Sequence, residues 1–156
     1  MGIEIERKYL IKKDKWNTSL AKDGVQYRQG YILTDPSKTI RVRLAGEQGY
    51  LTIKGLSEGA SRPEFEYEIP KEDAIALLDN FCPATISKVR YKIQFDNHLW
   101  EIDEFSGDNE GLIVAEIELA REDETFTVPD WIDKEVTAES RYYNSNLTIH
   151  PYKDWK

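Results

Sequence analysis

The feature that most constrains this chain is an alternation of charged and apolar residues with a period of two, repeated in segment after segment. In the first such segment, Glu4, Glu6 and Lys8 alternate with Ile3 and Ile5. Side chains of a β-strand point alternately to its two faces, so each segment predicts a strand with one charged and one apolar face. The predicted strands are Ile3–Leu10, Val25–Leu33, Thr39–Ala45, Tyr50–Lys54, Glu64–Ile69, Lys88–Phe95, Trp100–Asp103 and Ile113–Leu119.

The connections between these segments favour antiparallel pairing. Gly46–Gly49 and Asp96–His98 contain the glycine, asparagine and aspartate residues that hairpin turns prefer. The longer segment Gly55–Pro63, with its glycines and serines, is predicted to be a mobile loop.

Two helices are predicted beside the strands. Apolar residues recur at helical spacing over Lys71–Phe81, and Thr137 is the predicted start of a helix in the stretch 137–144. We therefore expect a mainly β (α+β) fold. Closure removes exposed sheet edges, so the expected form is a closed eight-stranded antiparallel β-barrel in up-and-down order with a few outer helices; an open sheet is the alternative.

Composition limits the organisation and the partners of the chain. Its 156 residues are expected to form a single domain, 1–156. The net charge of -8 argues against binding to nucleic acid or to an anionic membrane. Cys82 is the only cysteine, and the first residues lack the apolar core of a signal peptide, so we expect a cytoplasmic protein.

The charged rows differ in sign from strand to strand. If they face water, the apolar rows form an ordinary core; if they face the barrel lumen, the apolar rows lie outside beneath helices and loops. A lumen with both signs of charge suits a ligand that also has both, such as a polyphosphate with metal ions. The acidic rows are Glu4/Glu6, Glu64/Glu66/Glu68, Glu101/Asp103 and Glu116/Glu118, and the basic rows are Arg41/Arg43 and Lys88/Arg90/Lys92.

These residue types match the chemistry of a triphosphate bound with metal. Carboxylates are oxygen ligands for Mg²⁺ or Mn²⁺, and a Glu-x-Glu pair sets two of them about 7 Å apart on one face of a strand. Arginine and lysine bind phosphate oxygens directly. The residues predicted to bind phosphate on these grounds are Arg41, Arg43, Lys54, Lys88 and Arg90.

The order of these motifs resembles the CYTH superfamily, the triphosphate tunnel metalloenzymes. Glu4–Lys8 is similar to the N-terminal Glu-x-Glu-x-Lys signature of that family. The resemblance covers nearly the whole chain and implies an eight-stranded tunnel open at both ends. It continues through Arg28–Tyr31, Arg41–Arg43, Thr52–Lys54, Glu64–Glu68, Lys88–Tyr91, Glu101–Asp103, Glu116–Glu118, Glu135–Thr137 and Arg141–Tyr142.

The resemblance also implies roles for single residues. It assigns metal binding to Glu4, Glu6, Glu116 and Glu118, with Asp103 as a further candidate. Phosphate contacts are implied for Lys8, Arg41, Arg43, Lys54, Lys88 and Arg90.

Two further residues are candidates on their chemistry. Tyr31 could donate a hydrogen bond to phosphate or position Lys8, although strand tyrosines often serve packing. Arg141 could reach the tunnel mouth and is a further predicted phosphate-binding residue, although a surface ion pair is the alternative. The predicted catalytic residues are Glu4, Glu6, Lys8 and Tyr31.

The expected function is metal-dependent hydrolysis of a small-molecule triphosphate, foremost of inorganic triphosphate to pyrophosphate and phosphate. One alternative is another activity of the same tunnel, as a class IV-type adenylate cyclase or a thiamine or nucleoside triphosphatase. A second alternative is a module that binds polyphosphate or nucleotide without turnover. The choice between Mg²⁺ and Mn²⁺ and the oligomeric state, with a homodimer among the options, stay open.

Overall fold

The computed structural model describes residues 2–21 and 23–155, and within these ranges nine strands form one antiparallel sheet. Each predicted strand is present, most of them extended by a few residues at one or both ends. Neither α-helix in this described part of the chain is long and apolar enough to cross a membrane. The elements are β1 Gly2–Ile11, β2 Val25–Asp35, β3 Lys38–Ala45, β4 Gln48–Gly55, β5 Ser61–Ile69, α1 Lys71–Phe81, β6 Thr85–Phe95, β7 His98–Phe105, β8 Ile113–Glu118, β9 Ile132–Glu135 and α2 Asn144–Ile149.

The sheet closes into a barrel because β1 pairs with β8 on one side and with β5 on the other. The closed barrel is confirmed, but the up-and-down strand order is wrong. The order is β5-β4-β3-β2-β6-β7-β8-β1, so β1 does not pair with β2, and β6 lies beside β2. Helix α1 makes this strand order possible, since it carries the chain from β5 across the outside of β4, β3 and β2 to β6.

Two hairpin turns agree with the glycine and Asx signals of the sequence. Gly46, with φ 58°, begins the two-residue turn between β3 and β4. Asp96 and Asn97, with φ 47° and 69°, form the turn between β6 and β7. Both central residues of this second turn have positive φ, which gives the twist that a tight hairpin needs.

The charged rows face the lumen and the apolar rows face outward. Lumen residues such as Glu4, Lys8 and Arg41 are buried although they are charged. On the outside, α1 covers Val42 through Ala74 and Leu78, while loop residues including Trp16 and Trp131 cover the apolar rows of β1, β7 and β8. The alternative in which the charged rows face water is therefore wrong for most of the barrel.

Apolar packing closes one end of the lumen. Lumen-facing Ile86, Phe105 and Val114 lie at this end and pack against the C-terminal residues Tyr142 and Leu147. The resemblance implies a tunnel open at both ends, and the structure differs at this end.

The C-terminal helix begins later than predicted. The stretch 137–144 contains a 3-10 turn at Ser140–Tyr142, and α2 starts at Asn144. Thr137 does not cap a helix, because its hydroxyl accepts a hydrogen bond from the Lys8 N–H (3.0 Å) and donates one to Glu135 (2.6 Å). Pairing of Val136 with the Lys8 carbonyl (2.8 Å) likewise holds this stretch extended against β1.

The predicted loop Gly55–Pro63 is shorter in the structure. β4 continues to Gly55, and β5 begins at Ser61, where residues 61–64 pair with the start of β1. Strand β9 was not predicted, and it pairs with the end of β1.

Candidate functional site in the barrel lumen

A cavity of about 740 Å³ occupies the lumen. All eight barrel strands contribute to its walls, and the C-terminal segment covers it from the closed end. Its charged lining contains Lys8, Arg41, Arg43, Lys54, Arg62, Arg90 and Lys92, together with Glu4, Glu6, Glu47, Glu64, Glu66, Glu101, Glu116 and Glu118. Its uncharged lining includes Tyr27, Tyr31, Thr39, Gln48, Tyr50, Thr137, Tyr143, Asn144 and Ser145.

Strand β3 supplies two arginines with different surroundings. Arg41 Nη2 donates to the Thr52 hydroxyl (3.1 Å) and lies 3.4 Å from a Glu66 carboxylate oxygen. Arg43 donates from Nε to Gln29 Oε1 (2.9 Å), and within the described ranges no carboxylate lies within 4.0 Å of its guanidinium. Burial and the charges of Arg41 and Arg90 lower the pKa of Arg43 to about 10. Arg43 is therefore a charged donor that an anion in the cavity could bind.

A second group of charges joins β1 to β4 and β5. Lys54 Nζ lies 3.0 Å from both carboxylate oxygens of Glu4 and 3.6 Å from Glu64. The register explains this contact, because Lys54 is opposite Glu64 and Glu4 is opposite Arg62. An intramolecular ion pair thus satisfies the Glu4 carboxylate.

A third group lies on β6, β7, β8 and β1. Arg90 forms two hydrogen bonds to Asp103 (2.8 and 2.9 Å) and one to Glu116 (3.1 Å). Lys8 lies 3.5 Å from Glu116. Burial would raise the pKa of Glu116, but Lys8 and Arg90 lower it to about 2. Glu116 is therefore ionised over the physiological range.

Acidic neighbours repel three further carboxylates of the cavity, those of Glu6, Glu64 and Glu118. Burial, the charge of Glu116 and the charge of Glu4 raise the pKa of Glu6 to about 8. Burial and neighbouring carboxylates, Glu4 first among them, also raise the pKa values of Glu64 and Glu118. Carboxylates whose ionised form is destabilised in this way fit a divalent cation, which would offset the repulsion.

The carboxylates are nevertheless not arranged as a finished metal site. Among residues 2–21 and 23–155, no three acidic, histidine or cysteine side chains are grouped so that they could hold a metal ion in their present positions. The physical reason is the ion pairing just described, because Glu4 is turned to Lys54 and Glu116 to Lys8 and Arg90. Metal binding by Glu4, Glu6, Glu116 and Glu118 stays a prediction.

The C-terminal segment encloses Lys8. Its ammonium donates to the Tyr142 carbonyl (3.3 Å) and lies 5.7 Å from the centre of the Tyr143 ring. Its backbone pairs with Val136 and Thr137. Tyr31 is buried in the same lining.

Three predicted site residues do not line the cavity. Lys88 and Asp103 lie on the lumen face of β6 and β7, but they are buried between the cavity and the apolar closed end and are paired at 2.7 Å. Burial raises the pKa of Asp103, but Arg90 and Lys88 together hold it well below its usual range. Arg141 is exposed and stacks on the rings of Tyr142 and Trp155. These positions do not favour the direct ligand contacts predicted for the three residues.

Several lining residues were not among the predicted site residues. Glu64 and Glu66 carried the same alternating signal as Glu4 and Glu6, and that signal could have found them. Tyr143, Asn144 and Ser145 carried no comparable signal, because only the folding of the C-terminus over the barrel end brings them to the cavity.

Comparisons with known proteins agree with this architecture. The chain matches the CYTH domain model over residues 2–150. It is 54% identical to a protein named inorganic triphosphatase from Acetivibrio thermocellus, with 100% of this chain and 99% of the relative aligned. It is 35% identical to a protein of the same name from Nitrosomonas europaea, with 94% and 97% aligned.

A solved structure extends the likeness to three dimensions. The crystal structure of an inorganic triphosphatase superposes with a TM-score of 0.65 at 31% identity, covering 94% of this chain and 97% of that chain. With a match over nearly its whole length and a closed barrel around a charged lumen, this chain belongs to the CYTH domain family.

Proposed function

We propose that this protein hydrolyses inorganic triphosphate to pyrophosphate and phosphate in a reaction that requires a divalent metal ion, Mg²⁺ or Mn²⁺. The observation that carries the proposal is the enclosed lumen, where guanidinium and ammonium groups and mutually repelling carboxylates line one cavity. The relatives named inorganic triphosphatase support the substrate. We also propose a single domain over residues 1–156 and a cytoplasmic location.

Cations of the wall would hold the phosphates. Arg43, whose terminal nitrogens face no carboxylate within 4.0 Å in the described ranges, is the donor best placed to bind an anion. Arg41, Lys54 and Arg90 would exchange part of their present ion pairs for phosphate oxygens. Charge-assisted hydrogen bonds of this kind stabilise the negative charge that spreads over the oxygens during transfer.

Carboxylates of β1 and β8 would hold the metal. We propose Glu4, Glu6, Glu116 and Glu118 for this role, and the metal, when bound, supplies an activated water and neutralises phosphate charge. Lys8, fixed between Glu116 and the Tyr142 carbonyl, would donate to a phosphate oxygen. Tyr31 would help to orient the substrate from the same wall. Asp103, which pairs with Lys88 and accepts two hydrogen bonds from Arg90, would hold the Arg90 guanidinium in position.

A substrate panel tests the proposal. Release of orthophosphate is measured from inorganic triphosphate, ATP and thiamine triphosphate, each with Mg²⁺, with Mn²⁺ and with a chelator, and cyclic AMP is assayed in the ATP reactions. We expect the highest kcat/KM for inorganic triphosphate and no turnover without metal. Equal or faster hydrolysis of an organic triphosphate, formation of cyclic AMP, or tight binding without turnover would each contradict it.

A further inference from the structure

Three basic side chains lie near one aromatic ring in the cavity wall. The Cζ atoms of Arg43 and Arg90 each lie 5.0 Å from the centre of the Tyr27 ring, and Lys88 Nζ lies 5.9 Å from it. Tyr27 is itself buried and lines the cavity. These distances are within the range in which a cation is attracted to the negative face of a ring.

The strand order produces this arrangement. β2 lies between β3 and β6, and Tyr27 is opposite Ala45 on β3 and Lys88 on β6. Arg43 and Arg90 are each two residues away from those partners along their own strands, on the lumen face. The ring therefore lies between the two strands that contribute arginines to this wall.

The two arginines differ in what else holds them. Arg90 has hydrogen bonds to Asp103 and Glu116. Arg43 has its Nε bond to Gln29, and Arg41 and Arg90 repel its charge. A neutral ring attracts a guanidinium without adding a negative charge, whereas a carboxylate in the same place would also repel an anionic substrate.

We propose that Tyr27 is a positioning residue, whose ring holds the guanidinium of Arg43, and with it that of Arg90, in place for triphosphate binding. The inference rests on the proposed function, because it names a determinant of substrate affinity in the same cavity. The ring acts through the arginines, so its loss should raise KM more than it lowers kcat.

Kinetics of ring-retaining and ring-removing variants test this role. In Tyr27→Leu the ring is lost and an apolar side chain is kept; we expect KM for triphosphate to rise about tenfold and kcat to change less than about threefold. Tyr27→Phe keeps the ring and should stay within about twofold of the wild type in both constants. Tyr67→Leu removes an exposed tyrosine on β5 and is the control.

Binding measured without turnover separates this inference from the proposed function. Calorimetric titration with triphosphate in metal-free buffer should show a Kd about tenfold weaker for Tyr27→Leu, even if the wild type proves not to hydrolyse triphosphate. Should the leucine variant not fold, Tyr27→Met replaces it, because methionine keeps bulk without the ring.

Three outcomes would overturn the inference. One is a leucine or methionine variant with the KM and Kd of the wild type. Another is a phenylalanine variant as weak as the leucine variant, which would transfer the role to the hydroxyl. The third is a fall in kcat and melting temperature at constant KM, which would make Tyr27 a packing residue.

Discussion

Glu6 illustrates how the lumen changes the chemistry of a single residue. In a solvent-facing row its pKa would stay near 4.5, but burial and the charges of Glu116 and Glu4 raise it to about 8. The folded protein therefore binds a proton at Glu6 more tightly than the unfolded chain does. Stability is thus lost as the pH rises from about 4.5 to about 8, unless a cation neutralises the carboxylate.

Glu6→Gln should consequently separate stability from function. In chelator, the variant should be more stable than the wild type at pH 8, by on the order of 2 kcal/mol, and the gap should close toward pH 4.5. Metal-dependent turnover should disappear, because an oxygen ligand with charge is lost. Urea unfolding at both pH values and phosphate release measure the two effects. Glu110→Gln, an exposed change of the same charge, is the control, and wild-type turnover in Glu6→Gln would refute the metal assignment.

Arg43 carries a second prediction at this scale. Arg43→Ala should lower kcat/KM for triphosphate by roughly 100-fold, since removal of one preorganised donor to a developing charge typically costs that much. Steady-state kinetics measure the effect. Arg121→Ala changes the net charge equally at an exposed site and should leave the ratio unchanged. If Arg43→Ala had the wild-type kcat/KM, Arg43 would not be a substrate-binding residue.

Among the elements, the short helix α2 closes one end of the barrel. Leu147 is 1% exposed and belongs to the apolar cluster of Ile86, Phe105 and Val114, whereas Ile149 on the same helix is 68% exposed. The segment just before α2 also contacts Lys8. Packing of α2 therefore contributes both to stability and to the position of a site residue.

Leu147→Ala should destabilise the protein by about 3 kcal/mol, because it leaves a cavity in a closed apolar cluster. Ile149→Ala should change the free energy of unfolding by less than about 0.5 kcal/mol. Urea unfolding monitored by tryptophan fluorescence compares the two variants. Equal effects of the two substitutions would show that α2 does not seal the barrel end.

At the scale of the whole molecule, the lumen encloses both positive and negative side chains. Binding of a ligand that neutralises them should therefore also stabilise the fold. Ion pairs such as that of Lys54 with Glu4 neutralise part of the charge in the lining, while Glu6, Glu64 and Glu118 repel their acidic neighbours. A metal ion and a polyphosphate together can neutralise charges of both signs, whereas either alone leaves one sign in excess.

The melting temperature should therefore respond to the two ligands together. A triphosphate analogue with imido bridges, added with Mg²⁺ or Mn²⁺, should raise it more than the sum of the rises with each component alone. At 100 times its Kd, a ligand that binds only the folded state adds about 2.7 kcal/mol of stability. Scanning calorimetry measures the rises, and strictly additive shifts would contradict a shared site.

The sequence alone determined which residues share a strand face. Period-two alternation depends only on local geometry, so it predicted the barrel strands, the charged rows and the residues Glu4, Glu6, Arg41, Arg43 and Lys54 that line the cavity. Hairpin turns were predictable for the same local reason, because Gly46 and Asn97 suit positive φ.

Tertiary structure decided the features that a local sequence pattern cannot predict. Strand order depends on where α1 packs, so β6 lies beside β2, and the Tyr27 ring comes to lie near both Arg43 and Arg90. Lys88 and Asp103 share the alternating pattern, yet their mutual ion pair is buried toward the closed end of the lumen and does not line the cavity. Pairing to β1 keeps residues 136 and 137 extended and delays the last helix. Each of these features arises from contacts between residues far apart in the chain, whose free energy outweighs the local preference.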